Sequence, residues 1–247
     1  MSSADVQRFD QLGKLSPGED AILRLLVEHG IVVKSSWDSI ADSSLTVEGL
    51  SNAMWSLTRR RLAVARPLHP GRMYFMLSKS SVHKLGLPEQ RSAPLTGTTK
   101  LRAYARLVFH TRIEPTTFRL SKPQVELRLG TAVGGMPTGF FGRTGKPEHL
   151  GFLRIDGNPH GPPKHAAQSI RHDVLRVAGV DALRQKIKQK HFEWVWITVT
   201  QARADAVRAM FAQYDVGKAP VTTLAVSELL PLILPKGVTD PINRIFM

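Results

Sequence analysis

TVEGLSNAMWSLTRRRLAVARPLHPGRMYFML, residues 46–77, decides how the first half of the chain folds. Thr46 stands where a helix N-cap belongs. Val47, Leu50, Met54 and Leu57 then recur three and four apart, one apolar stripe along a helix. The opposite face carries Glu48, Asn52, Ser56 and Arg59, and the pattern runs out in Arg59-Arg60-Arg61. Leu62 to Arg66 reads as a strand, Pro67 to Gly71 contains a Pro-Gly turn, and Met73 to Leu77 reads as the returning strand.

Upstream, Ser16-Pro17-Gly18-Glu19 is a capping-box pattern with proline in the first turn. Ile22, Leu25, Leu26 and His29 follow at helical spacing, and Gly30 is a stop. Ser36 begins a second, short helical pattern with Ile40 and Ala41 turned inward. Downstream, Ser78 opens a short helix towards Leu85 and Gly86. Three helices followed by a hairpin is the order of a winged helix-turn-helix, expected over 16–87 behind a flexible leader, 1–15. Residues 88–100, rich in Pro, Gly, Ser and Thr, read as a linker.

Leu101 to His110 reads as a helix or a strand with a basic face of Arg102 and Arg106. Segments 125–129 and 149–155 read as strands, with a Gly-rich loop or hairpin turn over 130–147 between them. A long helical pattern covers 163–190, interrupted at Gly179. Phe192 to Thr200 is a nearly continuous apolar run, as in a strand covered on both faces. Residues 202–214 read as a helix and 221–226 as a last strand. This alternation predicts an α/β domain over 101–235 with a mixed, partly parallel sheet, then a C-terminal tail, 236–247. The class expected for the whole chain is thus α+β / α/β, with an N-terminal winged helix-turn-helix.

The charge points to a polyanionic partner. The 247 residues hold 34 Lys and Arg against 20 Asp and Glu, a net charge of +14. The excess is uneven: residues 1–44 sum to −3, residues 45–125 to +11 and residues 126–247 to +6. The stretch holding the helix and hairpin therefore carries most of the field, which attracts nucleic acid. A helix with one packed face and one slim polar face suits the major groove. Asn52 pairs with adenine in that reading, with Ser56 beside it. Arg59 and Arg60 hold guanine or phosphate, and Thr46 caps a helix start that favours a phosphate oxygen. Arg61, Arg66, His69 and Arg72 flank the groove. Trp55 is read as a partly buried packing residue.

Catalytic chemistry is poorly supplied. The chain has no cysteine. That excludes disulfides and thiolate sites and suits a cytoplasmic protein. No apolar run is long enough to span a bilayer, and the polar first ten residues do not read as a signal peptide, so no membrane partner is expected. His149, Asp156, His160, His165, His172 and Asp173 form the nearest metal-like cluster, without the four-residue spacing that puts two imidazoles on one ion. The glycines of 130–145 match neither a P-loop nor a dinucleotide fingerprint. A Mg²⁺ nuclease would draw on Asp156, Glu126 and Glu148, but Arg154 stands two residues before Asp156 and competes with a cation. No catalytic residue, metal or cofactor is expected.

Tyr74-Phe75-Met76-Leu77-Ser78 with the short helix to Gly86, and Leu150-Gly151-Phe152-Leu153-Arg154-Ile155-Asp156-Gly157 followed by a helix with Gln168, Ile170, Arg171 and Leu175, resemble the replication-relaxation family of plasmid and mobile-element proteins. The resemblance covers residues 16–226. It implies an N-terminal winged helix and a C-terminal domain similar to restriction-endonuclease folds. The family's Pro-Asp resembles Pro137-Thr138 here, and its acidic-x-Asp resembles Arg154-Ile155-Asp156. Only Asp156 carries over, which implies an inactive nuclease-like domain. Such a domain would instead bind a partner protein, dimerise, or touch phosphate through Arg171, Arg176, Arg184, Lys186, Lys188 and Lys190.

The expectation is a sequence-specific binder of double-stranded DNA from a plasmid or other bacterial mobile element, acting as a dimer in transcription regulation or DNA replication. The alternatives are a Mg²⁺-dependent nuclease using Asp156 and Glu126, and a toxin–antitoxin or phage-defence regulator.

Overall fold

The computed structural model describes residues 9–41, 44–136, 138–212 and 221–233. Residues 1–8 of the leader, Pro137, Tyr214 and the tail 236–247 lie outside the described residues. The chain forms two compact units that part after Pro115.

The first unit holds α1 (Pro17–His29), β1 (Val32–Val33), α2 (Trp37–Ile40), α3 (Val47–Arg59), β2 (Ala63–His69), β3 (Arg72–Leu77), α4 (Lys79–Lys84) and α5 (Gly97–Val108). Its strands pair antiparallel in the order β1-β3-β2. This is a winged helix-turn-helix. The capping box forms: Ser16 Oγ accepts from the Glu19 backbone at 3.2 Å and the Glu19 carboxylate accepts from the Ser16 backbone at 2.8 Å. Ile22, Leu23 and Leu26 of α1 pack with Leu50, Met54 and Leu57 of α3, Trp37 of α2 and Leu77 of β3. Removing a side chain such as Leu50 from this core should cost about 2–5 kcal/mol. A Cβ on Gly18 would lie 3.0 Å from Ala53 Cβ, so glycine lets α1 approach α3 closely.

Several boundaries differ from the sequence reading. Val32–Val33 forms a strand too short to show alternation. Leu23, not Leu25, is fully buried. Phe9 to Leu12 make a 3-10 turn whose two apolar ends sit in the core, so this part of the leader is anchored. The stretch 88–100 is no linker. It contains a 3-10 turn, Glu89–Ser92, and the start of α5, a helix that belongs to the first unit and whose Leu101, Tyr104, Leu107 and Val108 are buried.

The second unit holds β4 (Thr117–Arg119), α6 (Lys122–Leu129), β5 (Phe140–Arg143), β6 (Lys146–Ile155), α7 (Pro163–Ala178), α8 (Asp181–Lys188), β7 (Phe192–Thr198), α9 (Gln201–Phe211) and β8 (Val221–Ala225). The sheet order is β4-β5-β6-β7-β8, with β4, β5 and β6 antiparallel and β6, β7 and β8 parallel. The mixed, partly parallel sheet is as the alternation of elements predicts. Phe140, Leu150, Phe152, Phe192, Trp194 and Trp196 pack with Ala167, Ile170, Val174 and Val177 of α7, Leu183 of α8 and Val207 of α9. Residues 125–129 are helical, not a strand. The Ser121–Gln124 capping box, Pro123 in the first turn and Gly130 in the left-handed region bracket a helix that short apolar patterning did not reveal. The Gly-rich stretch 130–147 holds both β5 and the tight antiparallel turn from β5 into β6, the hairpin turn that the sequence offers there beside a loop.

Candidate nucleic-acid interface

The sequence stripe on α3 places its core side correctly for Leu50, Met54 and Leu57, while Val47 is 39% exposed. The opposite face presents Glu48, Asn52, Trp55 and Arg59, all exposed. Thr46 is exposed and its hydroxyl accepts from the Gly49 backbone at 3.0 Å, the expected N-cap. Two residues expected at the interface turn inward instead. Ser56 donates to Glu19 Oε1 at 2.8 Å, and Arg60 donates to the same oxygen at 2.9 Å and to the Leu12 carbonyl at 3.0 Å. Ser56 and Arg60 therefore fasten α3 to α1.

Burial works to raise the Glu19 pKa, but its hydrogen bonds from the Ser16 backbone, Ser56 and Arg60, together with the Arg60 charge, outweigh it. The net direction is downward.

The end of α3 carries a backbone feature that its sequence does not advertise. Arg61 has φ +56°, in the left-handed region. Its N–H donates to the Thr58 carbonyl at 3.0 Å, and the Leu62 N–H donates to the Leu57 carbonyl at 2.8 Å. These two bonds make a Schellman motif, with Arg61 at the position glycine usually fills. An L-residue there costs about 1 kcal/mol. The motif turns the chain sharply from α3 into β2 and leaves the Arg61 side chain exposed.

The hairpin that follows turns at Pro70-Gly71. Gly71 has φ +79°, and proline then glycine at the two central positions is the type II combination. The β2–β3 register slips between Pro67 and His69, and Pro67 removes a donor from an edge strand. Arg66 and Arg72 are exposed, and Arg72 donates to Tyr104 Oη at 3.3 Å. His69 is half-buried with Nδ1 2.9 Å from the Pro70 carbonyl. Helix α5 braces the sheet: Lys100 Nζ donates to the Pro67 and Leu68 carbonyls at 2.9 and 3.2 Å, and Tyr74 Oη accepts from the Leu95 backbone at 3.0 Å.

Among the described residues, none of Arg59, Arg61, Arg66 and Arg72 forms an ion pair. The face is not uniformly cationic, because Glu48 and Asp38 are also exposed on it. Trp55 departs from the sequence reading. It is 66% exposed, and Arg59 lies 5.7 Å over its ring. Trp55 stands three residues after Asn52 and four before Arg59, on that same polar face, and reads as packing in the sequence because aromatic residues are usually buried. Beside it a cavity of about 770 Å³ opens between α3 and the hairpin, lined by Val33, Trp37, Met54, Trp55, Met73 and Phe75 among others.

In the second unit, the acidic candidates serve the fold. Asp156 ends β6 at 6% exposure. Its Oδ2 accepts from Arg203 Nε at 3.0 Å and Thr198 Oγ1 at 3.2 Å, and its Oδ1 accepts from the Asn158 backbone at 3.1 Å. Arg203 continues to the Gly161 and Asn158 carbonyls, so the pair fastens the loop after β6. Arg154 pairs with Asp173 and donates to Ser169. Glu126 accepts from the Val133 backbone at 3.0 Å, and Glu148 is exposed. His149 lies 3.1 Å from Glu193, His160 3.3 Å from the Ile233 carbonyl, and His165 and His172 are exposed on α7. Among the described residues no three His, Asp or Glu side chains are grouped to hold a metal ion.

The basic run of α7 and α8 divides in two. Arg184 pairs with Asp181, and Lys186 donates to the Glu148 carbonyl at 2.6 Å. Burial lowers the Lys186 pKa, Glu148 acts against that, and Arg128 adds to the lowering. Arg171, Arg176, Lys188 and Lys190 are exposed.

Among the described residues no helix is long and apolar enough to cross a membrane. No protein-family model matches this chain, and no curated protein or solved structure does either.

Proposed function

We propose that this chain binds double-stranded DNA, with the outward face of α3 entering the major groove and the β2–β3 hairpin lying against the sugar-phosphate backbone. One observation carries the reading. Arg59, Arg61, Arg66 and Arg72 are exposed without an ion-pair partner among the described residues, around an exposed Asn52, on a helix whose other face is packed. Asn52 reads an adenine edge, Arg59 a guanine or a phosphate, and the other arginines position the duplex. Thr46 and His69 lie at the margins, and Ser56 and Arg60 act by holding α3 in place.

The site supports a sequence-specific regulator of transcription or replication. The resemblance to replication-relaxation proteins adds a plasmid or mobile-element setting, and winged helices that read paired half-sites work as dimers. The second unit then serves assembly or a protein partner. A Mg²⁺ nuclease would require Asp156 to accept a cation, yet its two oxygens already accept three hydrogen bonds, one from Arg203.

Selection of a site from random duplexes, followed by affinity measurement, tests the proposal. Asn52→Ala and Arg59→Ala should each weaken the selected site by about 1–3 kcal/mol and relax its sequence preference. Both variants binding the selected duplex like the wild type would remove α3 as the reading element.

A further inference from the structure

The cavity between α3 and the hairpin does not suit an uninterrupted duplex. Three large apolar side chains that are exposed, Val47 at 39%, Trp55 at 66% and Met73 at 46%, all line this one cavity. Its other walls include Trp37, Met54, Ala65 and Phe75. Paired, stacked bases offer a groove-reading protein their edges, so an open aromatic wall finds no partner there. An unpaired base offers its ring faces, and stacking on aromatic side chains is how single strands are held. The size agrees, since about 770 Å³ lies within the range of about 300–1,000 Å³ usual for small-ligand sites.

The charge agrees as well. Lys34 and Arg72 line the cavity, and the exposed Arg59, Arg61 and Arg66 belong to the same helix-and-hairpin element. Asp38 also lines it, so the lining carries two cations against one carboxylate, and this excess around an aromatic interior favours a ligand with an anionic backbone and apolar rings. Arg59 lies over the Trp55 ring and is not one of the residues that line the cavity.

We propose that this cavity is a nucleobase site, in which an unpaired base stacks on Trp55, and that the preferred ligand is DNA carrying unpaired bases beside a duplex. This rests on the nucleic-acid reading of the same face. The hydroxyls at the site set a preference among bases. Ser51 Oγ donates to the Val47 carbonyl at 3.0 Å and Thr58 Oγ1 donates to the Met54 carbonyl at 2.9 Å. Their protons are committed to the helix, so towards the cavity both oxygens are acceptors, as is the Asp38 carboxylate. An acceptor-rich wall selects a base with an exocyclic amino group, adenine, cytosine or guanine, over thymine.

Fluorescence anisotropy with the full chain tests this on four labelled DNAs of one duplex sequence: blunt, with a single-stranded adenine tail, with a thymine tail, and with an abasic tail of equal length. The adenine tail should tighten binding about tenfold over the blunt duplex, the thymine tail less, and the abasic tail not at all. Trp55→Ala should abolish the gain, so that this variant binds its adenine-tailed and blunt duplexes equally, and Trp55→Phe should keep most of it. Trp55 is the exposed tryptophan of four, so iodide quenching should fall when the adenine tail binds. Equal affinity for blunt and adenine-tailed DNA, an abasic tail as effective as adenine, or a gain retained by Trp55→Ala would overturn the base site. Tail-independent binding with Trp55 shielded only by an acidic, apolar peptide would overturn it in favour of a protein segment. Failure of every DNA to bind at low salt would instead remove the nucleic-acid reading itself.

Discussion

Glu19 of α1 and Arg60, the C-cap of α3, meet at 2.9 Å, Oε1 to Nη1, with Glu19 only 6% exposed at its side chain. The same oxygen accepts from Ser56, so one carboxylate ties the first helix of the winged helix to the end of the third. Arg60, the middle of three consecutive arginines, is thereby separated in role from its two neighbours. Arg59, the last residue of that helix, and Arg61, just past its end, are exposed.

Glu19→Gln should lower stability at neutral pH by about 2 kcal/mol, since hydrogen bonds to charged groups are worth about 1.5–3 kcal/mol. The sign of the pH dependence follows from the lowered Glu19 pKa. A carboxylate depressed in the folded state contributes stability that is present above its unfolded pKa and is lost as pH falls through the folded value. Thermal melts of the wild type and Glu19→Gln should therefore differ at pH 7 and converge on acidification below the ordinary carboxylate range. A difference that persists unchanged at the lowest folded pH would contradict the ion-pair account.

Arg61→Gly should stabilise the fold and weaken DNA binding together. Glycine relieves the left-handed backbone at φ +56°, worth about 0.5–1 kcal/mol in chemical denaturation. On the proposed DNA-binding reading, the lost guanidinium also removes one phosphate contact. A gain in stability with DNA affinity unaltered would leave Arg61 without a role at the interface.

Arg203→Ala should destabilise the second unit by about 3–5 kcal/mol, because it leaves Asp156 buried and unpaired. Wild-type protein incubated with supercoiled plasmid and Mg²⁺ should leave it intact. Cleavage by the wild type that disappears in a folded Asp156→Asn variant would revive the nuclease reading.

Much of the first unit was legible because its signals are local. A capping box, a helical stripe and a Pro-Gly turn each occupy a few consecutive residues. What the residue pattern concealed was long-range. Nothing within residues 46–61 shows that Glu19 claims Ser56 and Arg60, so four polar residues of α3 looked equally available. Trp55 looked like packing because aromatic residues are usually buried, and only the position of the hairpin leaves it open. In the second unit the strong strand Phe192–Thr198 was plain. Helix α6 was not, because Val125 is its one fully buried residue and its capping signals lay outside the apolar segment.

The most direct test is the salt dependence of binding to a selected duplex, compared between the wild type and the Arg59→Ala, Arg66→Ala and Arg72→Ala variants. Counterion release makes log K fall linearly with log salt, by about 0.9 per phosphate neutralised on B-DNA. A steep wild-type slope that drops by about one for each arginine removed is the expected result. A slope indifferent to all three substitutions would show that this face does not meet DNA.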